Sequence, residues 1–254
     1  MSPTEQIKQI TANVRHEMDQ IDQLLGAGPT VRTCHFGYYG DTPTTADEVH
    51  NHADLYWCYG WPQGGNMNAV SAGQRAQSLG MKIMLGCYGR GDQASLEYFF
   101  GQCQAGGITN DVIGLYPQDE PDVAGMTGPE VTAMCQRVRA AAAKYWPIVP
   151  PLCCIYGNEG YPGIASFDVV GRDNYGNGVQ TVPISGTQQL MIVPGGADDW
   201  REEPYPFVTY AQDNPDVWAV ICFYWDLTGQ KPGVKTNGMA AAYIQAGQAL
   251  TGRS

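Results

Sequence analysis

Cations are scarce in this 254-residue chain, with 14 Lys and Arg against 25 Asp and Glu for a net charge of −11. Nowhere do basic residues cluster into the positive field that a phosphate backbone or an anionic lipid surface needs, so neither nucleic acid nor membrane is an expected partner. Long apolar runs are missing too, and nothing approaches the roughly 20 residues that span a bilayer. The opening segment, MSPTEQIKQITANVRHEMDQ, has neither a basic n-region nor an apolar h-region. The expectation is a soluble protein, cytoplasmic as synthesised and without a signal peptide, that reaches any outside target by lysis or as part of a larger particle.

Histidine is rare, at four residues, and the only HxH pair, His50 and His52, precedes the second apolar run, away from where a barrel hydrolase holds its metal. The eight cysteines contain no CxxC. Cys34, Cys58, Cys87, Cys153, Cys154 and Cys222 lie inside apolar strand-like runs, where a free thiol behaves as a small core hydrophobe. Neither zinc ligation nor a disulfide scaffold is expected, and a reduced compartment is. No GxGxxG, Walker or GxSxG segment occurs, which excludes a dinucleotide fingerprint, a P-loop and a serine-hydrolase elbow. The sequence calls for no metal and no cofactor.

What is present is a core-sized apolar share, 43% of residues, with no linker rich in Ser, Gly or charge. Residues 1–254 are therefore read as one domain, with 1–28 a helical N-terminal extension. Eight short β-rich runs recur at Val31–Tyr38, Asp54–Gly60, Lys82–Tyr88, Val112–Tyr116, Ile148–Tyr156, Phe167–Asp173, Gln189–Val193 and Val217–Tyr224. Helical patterns at Ala69–Leu79, Gln93–Gln104, Pro129–Tyr145 and Thr236–Leu250 separate several of them, and another at Ile7–Leu25 precedes the first. This alternation predicts an α/β fold, a single (β/α)8 TIM-type barrel with an N-terminal helix. The fifth and sixth connections, Gly157–Ser166 and Gly176–Thr187, are Gly/Pro-rich and predict loops or single turns.

Aromatic and polar residues gather where these runs end, and in a barrel those ends converge on the C-terminal face that carries the chemistry. The sharpest segment is Val112–Pro121, VIGLYPQDEP, an apolar strand running into two carboxylates between prolines. With Glu120 on the barrel axis, strand alternation places Gly114, Tyr116 and Gln118 inside, and Ile113 and Leu115 toward the helices. A carboxyl group held among aromatic rings loses hydration, so its pKa rises toward neutral and it can protonate a leaving oxygen.

Asp119-Glu120-Pro121 after the fourth run, Asp173-Asn174-Tyr175 after the sixth and Tyr224-Trp225 after the eighth resemble glycoside hydrolase barrels of the hexosaminidase type or the retaining clan. The resemblance covers the strand order from about Val31 to Leu250. It implies that Glu120 is the general acid/base cleaving a glycosidic bond of an oligosaccharide or polysaccharide. The retaining clan carries a second Glu after its seventh strand, whereas Leu190–Asp198 reads LMIVPGGAD and holds none.

Three carboxylates can take that place. In hexosaminidase-like families 20 and 123 an adjacent Asp-Glu pair works with the substrate's own acetamido group. By that resemblance Asp119 orients the acetamido group, with Tyr175 or Tyr224 at its oxygen. Alternatively Asp173, or Glu159 in the loop after the fifth run, is the nucleophile or base. Trp61, Tyr88, Trp225 and Tyr39 are the expected stacking platforms for sugar rings, and Trp57 and Trp218 are assigned to the core. Further substrate contacts are expected from His35, Asp41, Arg90, Gln118, Tyr156, Glu159, Tyr175, Tyr224 and Asp226. The alternative is a barrel that binds glycan without cleaving it, because the fold alone confers no activity. The oligomeric state is left open.

Overall fold

A computed structural model of the chain describes residues 34–39, 45–58, 68–87, 89–158, 160–223, 225 and 232–253. From Cys34 onward they belong to one compact unit. Its strands are β1 (His35–Tyr39), β2 (Leu55–Cys58), β3 (Lys82–Gly86), β4 (Val112–Tyr116), β5 (Cys153–Tyr156), β6 (Val169–Arg172), β7 (Gln189–Ile192) and β8 (Val217–Phe223). They pair in parallel in the order β4-β3-β2-β1-β8-β7-β6-β5. The two ends of this sheet meet where Leu115 bridges to Leu152 and the Leu115 amide donates to the Pro151 carbonyl at 2.9 Å. The result is a nearly closed (β/α)8 barrel.

Around it lie α1 (Thr45–Val49), α2 (Asn68–Ser78), α3 (Gln93–Ala105), α4 (Gly128–Ala142), α5 (Tyr205–Asp213) and α6 (Ala240–Thr251). Each of the eight predicted runs holds a strand. β5 starts later than expected because Pro150 and Pro151 precede it and proline cannot donate to a ladder, which leaves Ile148 86% exposed. Helix α5 lies outside the expected helical patterns; Pro204 at its N-cap and Pro206 in its first turn are positions proline tolerates. The fifth connection holds one 3-10 turn, Ile164–Ser166, and residues 176–187 hold no helix, as expected. The predicted helix Ile7–Leu25 and the extension 1–28 lie outside the described residues.

Strand alternation divides the core into two layers. Leu55, Trp57, Met84, Tyr116, Cys153, Ile155, Val169, Met191, Val193, Ala219 and Ile221 fill the barrel interior, while Phe36, Tyr56, Leu85, Leu115, Tyr156, Val170, Ile192 and Val220 pack outward against the helices. Burial on both faces explains why the strands read as continuous apolar runs. Ile113 departs from the expected division and packs on the inner layer, next to the register shift between β3 and β4 at Ile83/Met84. All eight cysteines are buried free thiols. Among the described residues no helix is long and apolar enough to cross a membrane, and no group of His, Cys, Asp and Glu is arranged to hold a metal ion.

Candidate active site

The fourth strand stops at Tyr116 because Pro117 cannot continue the ladder, and the chain turns across the mouth of the barrel. Tyr116 faces the interior, where its hydroxyl donates to Asp119 Oδ1 at 2.8 Å and accepts from the Ile155 amide at 3.1 Å. That bond turns Asp119 inward. The next residue, Glu120, has φ +39°, a left-handed conformation that costs a non-glycine residue of order 1 kcal/mol and clusters at functional sites. The neighbours hold it there. Its amide donates to the Ile155 carbonyl at 3.1 Å, and its carbonyl accepts from the Ala124 amide at 2.9 Å.

The Glu120 carboxylate lies on the backbone at the end of β5. A Cβ on Gly157 would overlap Glu120 Oε1 and crowd Val123 Cγ2, so glycine at this position leaves the carboxylate room to lie here. Asp122 fixes this floor by accepting from the Gly157 amide at 3.3 Å and the Asn158 amide at 2.5 Å.

Asp173 follows β6 and faces Glu120. Tyr175 donates its hydroxyl to Asp173 Oδ2 at 3.0 Å, while Asp173 Oδ1 is buried with no donor to accept from. Two carboxyl groups brought together this way are reconciled by a proton held between them. Burial pushes the Asp173 pKa up to about 8, the Glu120 charge adds to the rise, and the Tyr175 hydrogen bond opposes it. Burial likewise raises the Glu120 pKa, helped by the charges of Asp119 and Asp122 and opposed by a hydrogen bond from the Asp173 carboxyl. The pair therefore keeps one proton at neutral pH, shared between the two carboxyl groups.

The aromatic wall beside the pair is built around Tyr175. Its ring stacks on Phe223 at 4.8 Å and on Trp200 at 5.7 Å between centroids, each at 28°. Gln118 is buried in the turn, donating to the Asp119 carbonyl at 2.6 Å.

The structure thus brings Asp119, Glu120, Asp173, Tyr175 and Gln118 to one mouth. Several other expected residues stand elsewhere. His35 begins β1 and so lies at the opposite, N-terminal end, where its Nδ1 meets Asp54 Oδ2 at 2.7 Å and its ring packs edge-on against Trp218. Tyr156 points outward, fully buried, and its hydroxyl donates to the Pro162 carbonyl at 3.0 Å. Trp225 is not a platform, because it is buried against Tyr38 and His52, and its Nε1 donates to Glu48 Oε2 at 2.8 Å. Arg90 is exposed beside the following turn, with Nη2 3.4 Å from the Ala124 carbonyl. Tyr39 closes β1 at its C-terminal end. Asp41, Trp61, Tyr88, Glu159, Tyr224 and Asp226 lie outside the described residues.

Sequence reasoning missed Asp122, Gly157, Phe223 and Trp200. Gly157 carried a signal, a glycine directly after an apolar strand, which marks close backbone approach. Trp200 sits in a connection with no periodic pattern.

No protein-family model and no curated protein sequence matches the chain. Similar solved structures include a β-mannanase of glycoside hydrolase family 113 from Alicyclobacillus acidocaldarius, 12% identical over 86% of this chain and 97% of that one, with a TM-score of 0.52. Xylanase 10B from Thermotoga petrophila is 10% identical over 85% of this chain and 94% of its own, with a TM-score of 0.53. Methylaspartate ammonia lyase from Clostridium tetanomorphum, 11% identical over 89% of this chain and 60% of its own, reaches 0.54. Two of the three are glycoside-cleaving barrels and the third performs a different reaction. At these identities the likeness establishes the (β/α)8 barrel, a fold this chain shares with glycoside hydrolases.

Proposed function

We propose that the chain is a glycoside hydrolase-like enzyme that cleaves a glycosidic bond, with Glu120 as general acid/base and Asp173 as the second carboxylate. The observation that carries this reading is the Glu120–Asp173 pair at the barrel mouth, sharing one proton with Asp173 raised to about 8. A proton donor and a carboxylate in contact are the two groups that glycoside cleavage requires. The β-mannanase and xylanase among the similar structures support a saccharide as substrate.

The reactive form places the shared proton on Glu120 and the charge on Asp173, where the Tyr175 hydroxyl stabilises it. Glu120 gives its proton to the leaving oxygen as the glycosidic bond breaks, and Asp173 forms an ester with the anomeric carbon. Glu120, now a carboxylate, takes a proton from water, whose oxygen displaces Asp173 and restores the pair. Retention of configuration is the outcome this double displacement predicts, whereas inversion would need carboxyl groups about 6.5–9.5 Å apart with a water between them. Asp119 supports a second reading. It is turned inward by Tyr116 and its charge raises both members of the pair, which suits contact with a 2-acetamido group.

The test incubates wild-type and Glu120→Gln protein with neutral and 2-acetamido oligosaccharides and follows new reducing ends. Cleavage by wild type, lost in the glutamine variant while saccharide affinity persists, is the expected result. Cleavage restricted to 2-acetamido substrates selects the Asp119 reading. Normal turnover by Glu120→Gln removes the acid assignment, and saccharide binding without any turnover makes the chain a glycan-binding barrel.

A further inference from the structure

The aromatic wall next to the carboxyl pair has an exposed end. Trp200 is 41% exposed, yet its ring stacks on Tyr175, whose hydroxyl holds Asp173 at 3.0 Å. Among the other large exposed apolar side chains described, Val123 also packs beside Glu120 over Gly157, but it offers a small aliphatic surface and no ring.

The backbone beneath Trp200 is fastened rather than loose. A Cβ on Gly195 would stand 2.0 Å from the Trp200 carbonyl oxygen, so the chain after β7 admits the Trp200 turn only because glycine is there. Glu202, two residues on, accepts from the Gly178 amide through Oε1 and from the Gly195 amide through Oε2, each at 2.7 Å. Its own amide donates to the Gly195 carbonyl at 2.9 Å. An exposed indole on an immobilised turn loses little conformational entropy when a ligand covers it.

Charge narrows the ligand. Four carboxyl groups gather at this mouth: Glu120 over Gly157, Asp119 held by the Tyr116 hydroxyl, Asp122 on the Gly157 and Asn158 amides, and Asp173 at the Tyr175 hydroxyl. A carboxylated or sulfated sugar brought against this mouth would meet repulsion from these carboxyl groups. An uncharged pyranose meets none, and the C–H face of its ring packs on indole and phenol rings as apolar surface does.

We infer that Trp200, with Tyr175 and Phe223 behind it, forms a stacking site for an uncharged pyranose ring of an oligosaccharide whose neighbouring bond lies at Glu120 and Asp173. The inference rests on the saccharide reading of the mouth and adds the residue that selects the ring and the charge class it accepts.

Titration calorimetry on Glu120→Gln protein, which binds without consuming ligand, tests it with xylohexaose, mannohexaose, laminarihexaose, chitohexaose and a hexagalacturonate. At least one neutral hexasaccharide is expected to bind and the hexagalacturonate is not. Adding Trp200→Ala should weaken that binding about tenfold, and Trp200→Phe should restore most of it. Neutral binding unaffected by Trp200→Ala, preference for the hexagalacturonate, or no binding of any neutral probe would overturn the inference. Its failure is separable from that of the catalytic reading. Turnover that depends on Glu120 but not on Trp200 removes only the stacking site, and Trp200-dependent binding without turnover removes only the catalysis.

Discussion

Asp173→Asn should make the protein more stable at neutral pH, and the gain should vanish in acid. Asparagine keeps the shape of a protonated aspartate, can accept from Tyr175 through Oδ1 and can donate to Glu120 through its amide. The folded wild type holds the Asp173 proton up to about pH 8, whereas the unfolded chain gives it up near 3.8. Between those values the folded state binds more protons than the unfolded one, so stability falls as pH rises, by about 1.4 kcal/mol per pH unit. Carried from 3.8 to pH 7 this would reach ~4 kcal/mol, and solvent screening at a partly exposed pair reduces it to about 2 kcal/mol. Asp173→Asn removes that slope. Urea denaturation of both proteins at pH 4, 5.5, 7 and 8 measures it, with curves that meet near pH 4 and separate toward pH 8. Parallel curves, or a variant less stable than wild type at pH 7, would refute the shared proton.

Three other substitutions separate the roles of neighbouring residues. Tyr175→Phe removes the hydroxyl that stabilises ionised Asp173, so the alkaline limb of the pH–rate profile should move up by about one pH unit, an unmoved limb placing Tyr175 outside the pair's electrostatics. Gly157→Ala should displace the Glu120 carboxylate, lowering kcat about 100-fold with an unchanged circular dichroism spectrum, and normal kcat would show that Glu120 is positioned otherwise. Trp225→Ala should cost about 3–5 kcal/mol in urea denaturation while leaving saccharide affinity intact, since Trp225 is packed on Tyr38 and bonded to Glu48. Weakened affinity with unchanged stability would return it to the rim.

The barrel was legible because its strands are buried on both faces and carry compact apolar runs, and the motif at Asp119-Glu120-Pro121 stood out because two carboxylates follow such a run. Strand alternation could also have placed Tyr156 correctly, since Cys153 and Ile155 line the interior and their neighbours must face the helices. The aromatic at each strand end looked equivalent in sequence, yet Trp225 turned inward to the helical layer while Trp200, from a patternless connection, reached the mouth. Such differences come from how connections pack, which no local period records. The pairing of Glu120 with Asp173 likewise depends on a left-handed residue and a glycine from a third strand, three features far apart in the chain and meaningful only together.

The shared proton is most directly tested by carboxyl-carbon NMR titration of Asp173 in wild-type and Glu120→Gln protein. An Asp173 signal that titrates near 8 in wild type, and at distinctly lower pH once the Glu120 charge is gone, is the predicted result. An Asp173 that titrates in the ordinary aspartate range in wild type, or one indifferent to Glu120→Gln, would contradict the account.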